Sequence, residues 1–238
     1  MKRRVSLFVT CLVDQLRPEI ARATVAVLEK AGCEVEFDAR QTCCGQPAFN
    51  TGFRDEARAV ARHFVDVYGD AECVVVPSGS CTAMIHRLPE LFERDEALHA
   101  RAERVASRTH ELSTFLVREL GLGDLGARFA GRVAWHHACH GLRELHLGVP
   151  RSLLAHVRGL ELVEPPLSDS CCGFGGTFSA TYPELSTAML DPKLDRLEEA
   201  RVDAVTALDG SCLMQIGTRL ARRGSRIRAL HLAEILAS

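Results

Sequence analysis

Two sets of cysteines repeat along this chain in the same order, and their spacing limits the fold more than any other feature. Each set has a single cysteine, then a Cys-Cys-Gly doublet, then a last cysteine. The first cysteine precedes the doublet by 32 residues in both sets, and the doublet's second cysteine precedes the last by 37 and 40 residues. This pattern predicts a duplicated chain with one soft-metal site in each half. The predicted ligands are Cys11, Cys43, Cys44 and Cys81, and then Cys139, Cys171, Cys172 and Cys212.

The composition is that of an ordinary globular protein without a basic excess. Among 238 residues, 47% are hydrophobic and the net charge is −2, which gives no electrostatic reason to expect nucleic acid or an anionic membrane as a partner. The basic N-terminus and the apolar run after it imitate a secretory signal, but the run lacks a cleavage site and has an internal counterpart at 132–139. No apolar run approaches the ~18–20 residues of a spanning helix. We therefore expect a cytoplasmic protein without membrane insertion, in which patterned cysteines bind metal or do redox chemistry.

Predicted strands and helices alternate in both halves. Apolar runs and helical periodicity predict first-half strands at 5–10, 35–37 and 73–76 and helices at 18–30, 54–68 and 81–88. The second half repeats this with strands at 133–136, 160–163 and 204–208 and helices at 150–158, 184–200 and 213–223. The first half also carries a charged helical insertion around 89–103.

This alternation is typical of an α/β protein with two pseudo-repeated Rossmann-like halves, each a mainly parallel sheet flanked by helices. A glycine-rich stretch at 122–131 places the boundary between a first repeat, 1–125, and a second, 126–238. Each cysteine position follows a predicted strand. Loops beyond the carboxyl ends of parallel strands form the binding crevice of such sheets, and neighbouring strands lie about 4.8 Å apart. We therefore expect the thiols of each half to converge.

Four thiolates are soft donors that select zinc, cuprous copper or an iron–sulfur cluster. Adjacent cysteines have difficulty ligating one tetrahedral zinc together, which favours an iron–sulfur cluster in each half and leaves zinc open for one of them. Backbone N–H groups at glycines suit a close approach to the sulfurs, and the candidates are Gly45, Gly79, Gly173 and Gly175. A vicinal disulfide at each doublet would leave the other four cysteines unexplained. Cys33 and Cys73 have no counterpart in the other half and are predicted to be core residues.

The repeated pattern resembles the cysteine-rich CCG domain family, which includes the B subunit of heterodisulfide reductase and the iron–sulfur subunits of glycolate and glycerol-3-phosphate dehydrogenases. Several segments resemble the lactate-utilisation protein A family in particular, and they are 6–14, 43–48, 77–81, 171–178 and 212–214. The resemblance implies a component of a three-protein system that oxidises L-lactate to pyruvate. Its implied partners are a ferredoxin-like iron–sulfur protein and a third, small subunit.

One departure from the heterodisulfide reductase pattern affects what can be carried over. Those subunits end each cysteine set in Cys-x-x-Cys, whereas Met84 and Gln215 stand at the corresponding positions here. Cluster type and disulfide cleavage therefore do not transfer. Histidines 136, 137 and 140 surround Cys139, and one of them could ligate metal, hydrogen-bond a cluster sulfur or transfer a proton. His140 is the catalytic candidate, and a surface or packing role is the alternative. The alternatives left open are a zinc-bound scaffold subunit and a thiol-disulfide oxidoreductase.

Overall fold

Four strands alternate with helices in the first half of the chain. The structure is a computed structural model that describes residues 2–238. The first-half elements are β1 (Arg3–Leu7), α1 (Cys11–Leu16), α2 (Pro18–Lys30), β2 (Cys33–Glu36), α3 (Gln46–Asn50), α4 (Arg54–Tyr68), β3 (Val74–Val76), α5 (Gly79–His86), a 3-10 turn (Leu88–Phe92), α6 (Glu96–Ser107), β4 (Thr109–Glu111), α7 (Leu112–Thr114) and a π-helical turn (Phe115–Glu119).

The second half repeats this order and lacks a helix equivalent to α6 within the described residues. Its elements are β5 (Arg128–Trp135), α8 (Cys139–Arg143), α9 (Val149–Ala155), β6 (Arg158–Val163), α10 (Phe178–Thr181), α11 (Pro183–Glu199), β7 (Ala204–Ala207), α12 (Gly210–Arg222), β8 (Arg228–His231) and α13 (Leu232–Leu236).

Over residues 2–238 the strands form two four-stranded sheets with the same topology. The strand orders are β2-β1-β3-β4 and β6-β5-β7-β8, and every neighbouring pair is parallel. The chain adds β2 on one side of β1 and then crosses to add β3 on the other. The loops after β1 and β3 therefore diverge at the carboxyl edge, where α/β sheets bind ligands. The predicted fold class is confirmed.

Long elements agree with the sequence-based bounds better than short ones. Helices α2 and α4 have the predicted bounds, and α6 confirms the charged helical insertion. The first strand was predicted too far along the chain, because the Phe8 amide makes the last hydrogen bond to β3 and the Val9 amide bonds to the Gln41 side chain instead. The prediction also missed β4 and β8, which are only three and four residues long and are stabilised by pairing with β3 and β7.

The two sheets share one hydrophobic cluster, and each has a second cluster of its own. The shared cluster contains Val5 and Ile20 from the first half and Trp135 and Ile235 from the second, all almost fully buried. Burying such side chains contributes about 1.5–3 kcal/mol each. Each predicted repeat, 1–125 and 126–238, contains one of the two sheets. The shared hydrophobic cluster contains residues of both repeats, so the division into two domains stays a prediction. No helix within residues 2–238 is both long and apolar enough to cross a lipid bilayer.

A polar contact joins the halves where α5 and α12 begin. Ser78 and Asp209 are the N-cap residues of these two helices. The Asp209 carboxylate accepts hydrogen bonds from the Ser78 hydroxyl at 2.7 Å, the Ser80 hydroxyl at 2.7 Å and the Ser80 amide at 3.0 Å. A buried carboxylate is stabilised when several donors satisfy it. This contact fixes the first turns of α5 and α12 against each other.

The ends of β4 and β8 carry buried N-cap residues of opposite kinds. The Glu111 carboxylate accepts the amides of Ser113 at 2.9 Å and Thr114 at 3.2 Å, and burial raises its pKa to about 7. His231 occupies the equivalent position. Its Nδ1 accepts the Ala233 amide at 3.1 Å, its Nε2 donates to a carbonyl, and burial lowers its pKa to about 4. Both residues cap a short helix in an apolar environment.

Candidate metal centres

The four first-half thiols that the spacing singles out lie together at the carboxyl edge of their sheet. We call Cys11, Cys43, Cys44 and Cys81 the first thiol cluster. Cys11 begins α1 after β1, the doublet lies between β2 and α3, and Cys81 is in the first turn of α5. The sulfurs of Cys11 and Cys43 are 3.6 Å apart, and those of Cys44 and Cys81 are 3.3 Å apart. Loops after three adjacent parallel strands thus deliver four sulfurs to one place.

The second half builds the same arrangement. We call Cys139, Cys171, Cys172 and Cys212 the second thiol cluster. Cys139 begins α8 after β5, the doublet precedes α10, and Cys212 lies in the first turn of α12. The Cys172 and Cys212 sulfurs are 2.9 Å apart. Cys139 makes a thiol hydrogen bond to Cys171, which joins the outer two members.

The glycine after each doublet turns the chain so that its amide points at a sulfur. Gly45 and Gly173 have φ values of 88° and 78°, a region that favours glycine. Their N–H groups donate to the sulfurs of Cys43 and Cys171, each at 3.4 Å. A side chain at Gly173 would also lie 2.4 Å from the carbonyl oxygen of Ser186. Glycine is therefore required here for the turn and for the close packing.

The other two glycines that the sequence singled out have different surroundings. A Cβ at Gly79 would lie 3.3–3.4 Å from Asp209 and from the backbone of Gly141, so the small size of this glycine serves the contact between the halves. Gly175 has a φ of 55° and packs against Phe178, and it lines the cleft beside the second thiol cluster.

Within each cluster one thiol of the doublet ionises first and its neighbours hold their protons. The pKa of Cys43 is lowered well below its usual range, because the thiols of Cys11 and Cys44 and the amide of Gly45 donate to its sulfur. The pKa values of Cys11 and Cys44 are raised, first by those same hydrogen bonds and then by burial. The second half repeats the pattern, with Cys171 as the thiolate and Cys139 and Cys172 as the donors. Four thiolates could coexist at this spacing only around a cation.

All ten cysteines are free thiols in the structure, and two of them belong to neither cluster. Cys33 begins β2 and Cys73 precedes β3, and both are buried in the shared hydrophobic cluster. Burial raises the pKa of Cys73 to about 11, which makes a thiolate ligand there unfavourable. These positions agree with the core role predicted for both.

The donor set of the eight clustered cysteines fits a soft cation or an iron–sulfur cluster. Soft thiolates at tetrahedral spacing suit zinc, and iron–sulfur clusters are likewise held by four cysteines. The outer members of each cluster, Cys11 and Cys43 or Cys139 and Cys171, are half-buried, whereas the inner pairs are buried. Each cluster therefore has one edge within reach of the surface.

A small cleft of about 70 Å³ between the halves opens onto the second thiol cluster. First-half residues Gln46 and Ser80 line one side, and His140 lines the other. His140 Nδ1 is hydrogen-bonded to Glu144, and its Nε2 lies 3.2 Å from the side-chain amide of Gln46. The donor Nδ1–H leaves Nε2 as an acceptor facing the cleft. Sequence reasoning named His140 but missed Gln46, because only folding brings the two halves together here.

Two buried polar side chains, His136 and Lys193, lie beside the second cluster, and nothing in the sequence pairs them. His136 is fully enclosed after β5, and burial lowers its pKa to about 3. The ammonium of Lys193, on α11, donates to the carbonyls of Leu167 and Ser168, and burial lowers its pKa to about 8. In the sequence, Lys193 could be noticed only because it lies on the apolar face of a helix. A lysine in that place is still expected to reach solvent, because the sequence does not show that a loop covers it.

Comparison with known proteins gives the family and close relatives. The family model of the cysteine-rich domain CCG matches residues 5–86 and 133–217, and each stretch contains one complete thiol cluster. The chain is 47% identical to Lactate utilization protein A of Geobacillus kaustophilus strain HTA426 over 234 residues, 98% of both chains. It is 45% identical to the protein of that name from Geobacillus thermodenitrificans strain NG80-2 over 234 residues, again 98% of both. The Bacillus subtilis strain 168 protein of the same name is 42% identical over 236 residues, 99% of both.

Proposed function

Because this chain belongs to the lactate utilization protein A family of cysteine-rich CCG domain proteins, we propose that it is the iron–sulfur subunit of a complex that oxidises L-lactate to pyruvate. Such a complex, acting in the cytoplasm, allows lactate to serve as a carbon source. The observation that carries the proposal is the convergence of four thiols in each half, with sulfur separations of 2.9–3.6 Å. An iron–sulfur cluster held there supplies one-electron transfer.

The chain's own residues hold the cofactors and moderate their charge. Cys11, Cys43, Cys44 and Cys81 hold one in the first half, and their second-half equivalents hold the other. The amides of Gly45 and Gly173 donate to thiolate sulfurs, which favours the ionised ligands. Beside the second cluster, the buried Lys193 ammonium adds a positive charge that partly offsets four thiolates.

The half-buried edge of each cluster is suited to the exchange of electrons with other subunits. Cys11 and Cys43 at one site, and Cys139 and Cys171 at the other, reach toward the surface. Electron transfer between proteins requires such edges to approach a partner. We propose the ferredoxin-like iron–sulfur protein and the third, small subunit of the system as these partners. His140, at the mouth of the cleft, is placed to hold or move a proton next to Gln46.

The first experiment determines the cofactor. The chain is purified without oxygen and analysed for iron, sulfide and zinc, and the reduced protein is examined by EPR. We expect iron and sulfide, and a reducible signal from each half. Zinc without such a signal would make the chain a structural scaffold. Metal-free protein with reactive doublet thiols and turnover of a small disulfide would make it a thiol-disulfide enzyme.

Matched cysteine variants test which thiols hold the metal. Cys44→Ser and Cys172→Ser are each expected to lose the metal of their own half and to retain that of the other, because each removes one buried ligand. Cys33→Ser is the control, since its thiol is buried in the shared core and distant from both clusters. It is expected to keep full metal content. Metal loss in the Cys33 variant would contradict the ligand assignment.

A reconstituted complex tests the reaction. Mixed with the two proposed partners, the wild-type chain is expected to show reduction of its iron–sulfur absorption when L-lactate is added, with pyruvate formed. The Cys44→Ser and Cys172→Ser variants are expected to lower lactate oxidation at least tenfold. Undiminished oxidation with both metal-depleted variants would remove this chain from the electron path.

A further inference from the structure

A buried histidine lies against the second thiol cluster with one ring nitrogen free to ligate. His136 follows β5 and is only 2% exposed. A ring nitrogen of His136 and the sulfurs of Cys172 and Cys212 all lie within 4.8 Å of one another. Ligand atoms bound to one metal by bonds of about 2.0–2.3 Å are separated by roughly 3.5 Å. The Cys172 and Cys212 sulfurs are 2.9 Å apart, and the His136 nitrogen lies within 4.8 Å of both, so a small movement of these side chains brings the three atoms to that spacing.

The hydrogen bonding around His136 identifies which ring nitrogen carries an unused lone pair. Nδ1 lies 3.3 Å from the carbonyl oxygen of Ser168. A carbonyl only accepts, so the Nδ1 of the neutral ring carries the proton and Nε2 carries the lone pair. Nε2 is buried and has no hydrogen-bond partner anywhere in the part of the chain that the structure describes. A buried acceptor left in this way is destabilising, and a metal bond would remove that cost.

Metal-ligating histidines characteristically donate their other ring N–H to a backbone carbonyl. The Ser168 carbonyl also accepts from the backbone amide of His137 and from Lys193, so it is held in place by three donors. The hydrogen bond to the Ser168 carbonyl therefore holds the His136 imidazole in its orientation before any metal binds.

We propose that His136 ligates the metal of the second centre through Nε2, so that this centre has a mixed sulfur and nitrogen donor set. The inference rests on the proposed function in that it requires a metal at this thiol cluster. The first centre cannot be ligated in this way, because Phe8 stands at the position equivalent to His136 and packs against Phe64 instead. Gln215, on α12, uses its side-chain N–H to donate to Ser186 at 2.8 Å.

A neutral imidazole changes the properties of the centre that it joins. It adds a donor without adding negative charge, and the ligand set is one of the factors that tune the reduction potential of an iron–sulfur centre. The cleft lined by Gln46, Ser80 and His140 opens onto this second centre.

The test detects the nitrogen ligand directly and does not depend on activity. The chain is produced with 15N-labelled histidine in the Cys44→Ser background, which empties the first centre. The reduced second centre is then examined by pulsed EPR for nitrogen coupling, and X-ray absorption at the metal edge gives the ligand set if the metal is zinc. We expect a strongly coupled histidine nitrogen that changes with the isotope.

Two variants complete the test. His136→Phe, which copies the first half, is expected to abolish the nitrogen coupling. His137→Gln is the matched control, because His137 faces Glu164 on the surface and is expected to leave the coupling intact. If His136→Phe fails to fold, the comparison of wild-type spectra with and without 15N-labelled histidine still shows whether a histidine nitrogen binds the metal. A sulfur-only second centre would overturn this inference and leave the proposed function standing, whereas protein without metal in either half would overturn both.

Discussion

The two halves have the same backbone order but different side chains around their thiol clusters. The buried positions on α4 and α11 follow the same spacing along the helix, and Phe64 on α4 stands where Lys193 stands on α11. After the first strand of each half, Phe8 likewise corresponds to His136. The first half therefore has an edge-to-face aromatic pair, with ring centroids 5.1 Å apart, where the second half has a buried imidazole and a buried ammonium.

This difference shows how two halves with one fold can surround the same thiol arrangement with different side chains. The first cluster is backed by aromatic rings that exclude water and add no charge. The second is backed by a cation and a nitrogen donor, and Leu167 adopts a left-handed φ of 66° in the loop whose carbonyls hold Lys193. Such a conformation costs a non-glycine residue about 1–2 kcal/mol. The loop that supplies the carbonyls for Lys193 thus keeps a strained backbone conformation at Leu167.

Truncating the aromatic pair is expected to have the largest effect on stability. Phe64→Ala removes a ring that packs on Phe8 and is 3% exposed, which is expected to lower the free energy of unfolding by about 3–5 kcal/mol. At the equivalent position Lys193→Met is expected to cost less, about 2 kcal/mol, because methionine keeps most of the side-chain volume and the loss is mainly that of the hydrogen bonds to Leu167 and Ser168. Chemical denaturation of the metal-loaded proteins measures both. Equal losses would mean that the two environments do not differ energetically.

The capping residues Glu111 and His231 are expected to give the halves opposite pH dependences. The pKa of Glu111 is raised to about 7 from 4.5, so its contribution to stability is fully present below pH 4.5 and lost as the pH rises to 7. The loss amounts to about 3 kcal/mol, at 1.36 kcal/mol per pKa unit. Glu111→Gln stays neutral throughout. The variant is therefore expected to gain about 3 kcal/mol relative to the wild type between pH 4.5 and pH 7.

His231 provides the matched comparison. Its pKa is lowered to about 4 from 6.5, so its contribution is fully present above pH 6.5 and lost as the pH falls to 4. His231→Gln is expected to gain on the wild type in the acid direction, again by about 3 kcal/mol. Unfolding free energies measured for both variants at several pH values check this. Parallel pH profiles for the two variants would contradict the assignment.

The contact between the halves is expected to depend on the charge of Asp209. Asp209→Asn keeps the shape of the side chain but weakens three hydrogen bonds from Ser78 and Ser80, at an expected cost of about 2 kcal/mol. Ser80→Ala removes only a hydroxyl donor and is expected to cost about 1 kcal/mol. Denaturant unfolding ranks the two variants, and a loss from Ser80→Ala as large as that from Asp209→Asn would argue against a role for the charge.

A further expected effect is electrostatic and concerns the reduction potential of the second centre. A unit charge about 10 Å away, at an effective dielectric constant of about 20, contributes about 1.7 kcal/mol, or roughly 70 mV for one electron. Lys193→Met is therefore expected to lower the potential of the second centre by roughly 70 mV. Phe64→Met at the equivalent position is expected to leave both potentials unchanged. Redox titration followed by EPR measures each centre, and an unshifted second potential would mean that solvent screens the ammonium.

Sequence spacing was sufficient to find the eight cysteines and the α/β class. Each cysteine follows an apolar strand, and parallel strands end at one edge, so order along the chain becomes proximity in space. The long helices α2 and α4 were found because their periodicity extends over several turns. Strands β4 and β8 were missed, since segments of three or four residues owe their conformation to the strand beside them.

The sequence by itself determined that four thiols would meet in each half, because the ligands and the turns that place them are local features repeated twice. Only the tertiary structure decided what surrounds those thiols. Whether Lys193 is solvated or buried, whether His136 faces a sulfur or the surface, and which residues of one half close the cleft of the other depend on contacts between segments far apart in the chain. Such contacts leave no periodic signal in the residues that make them.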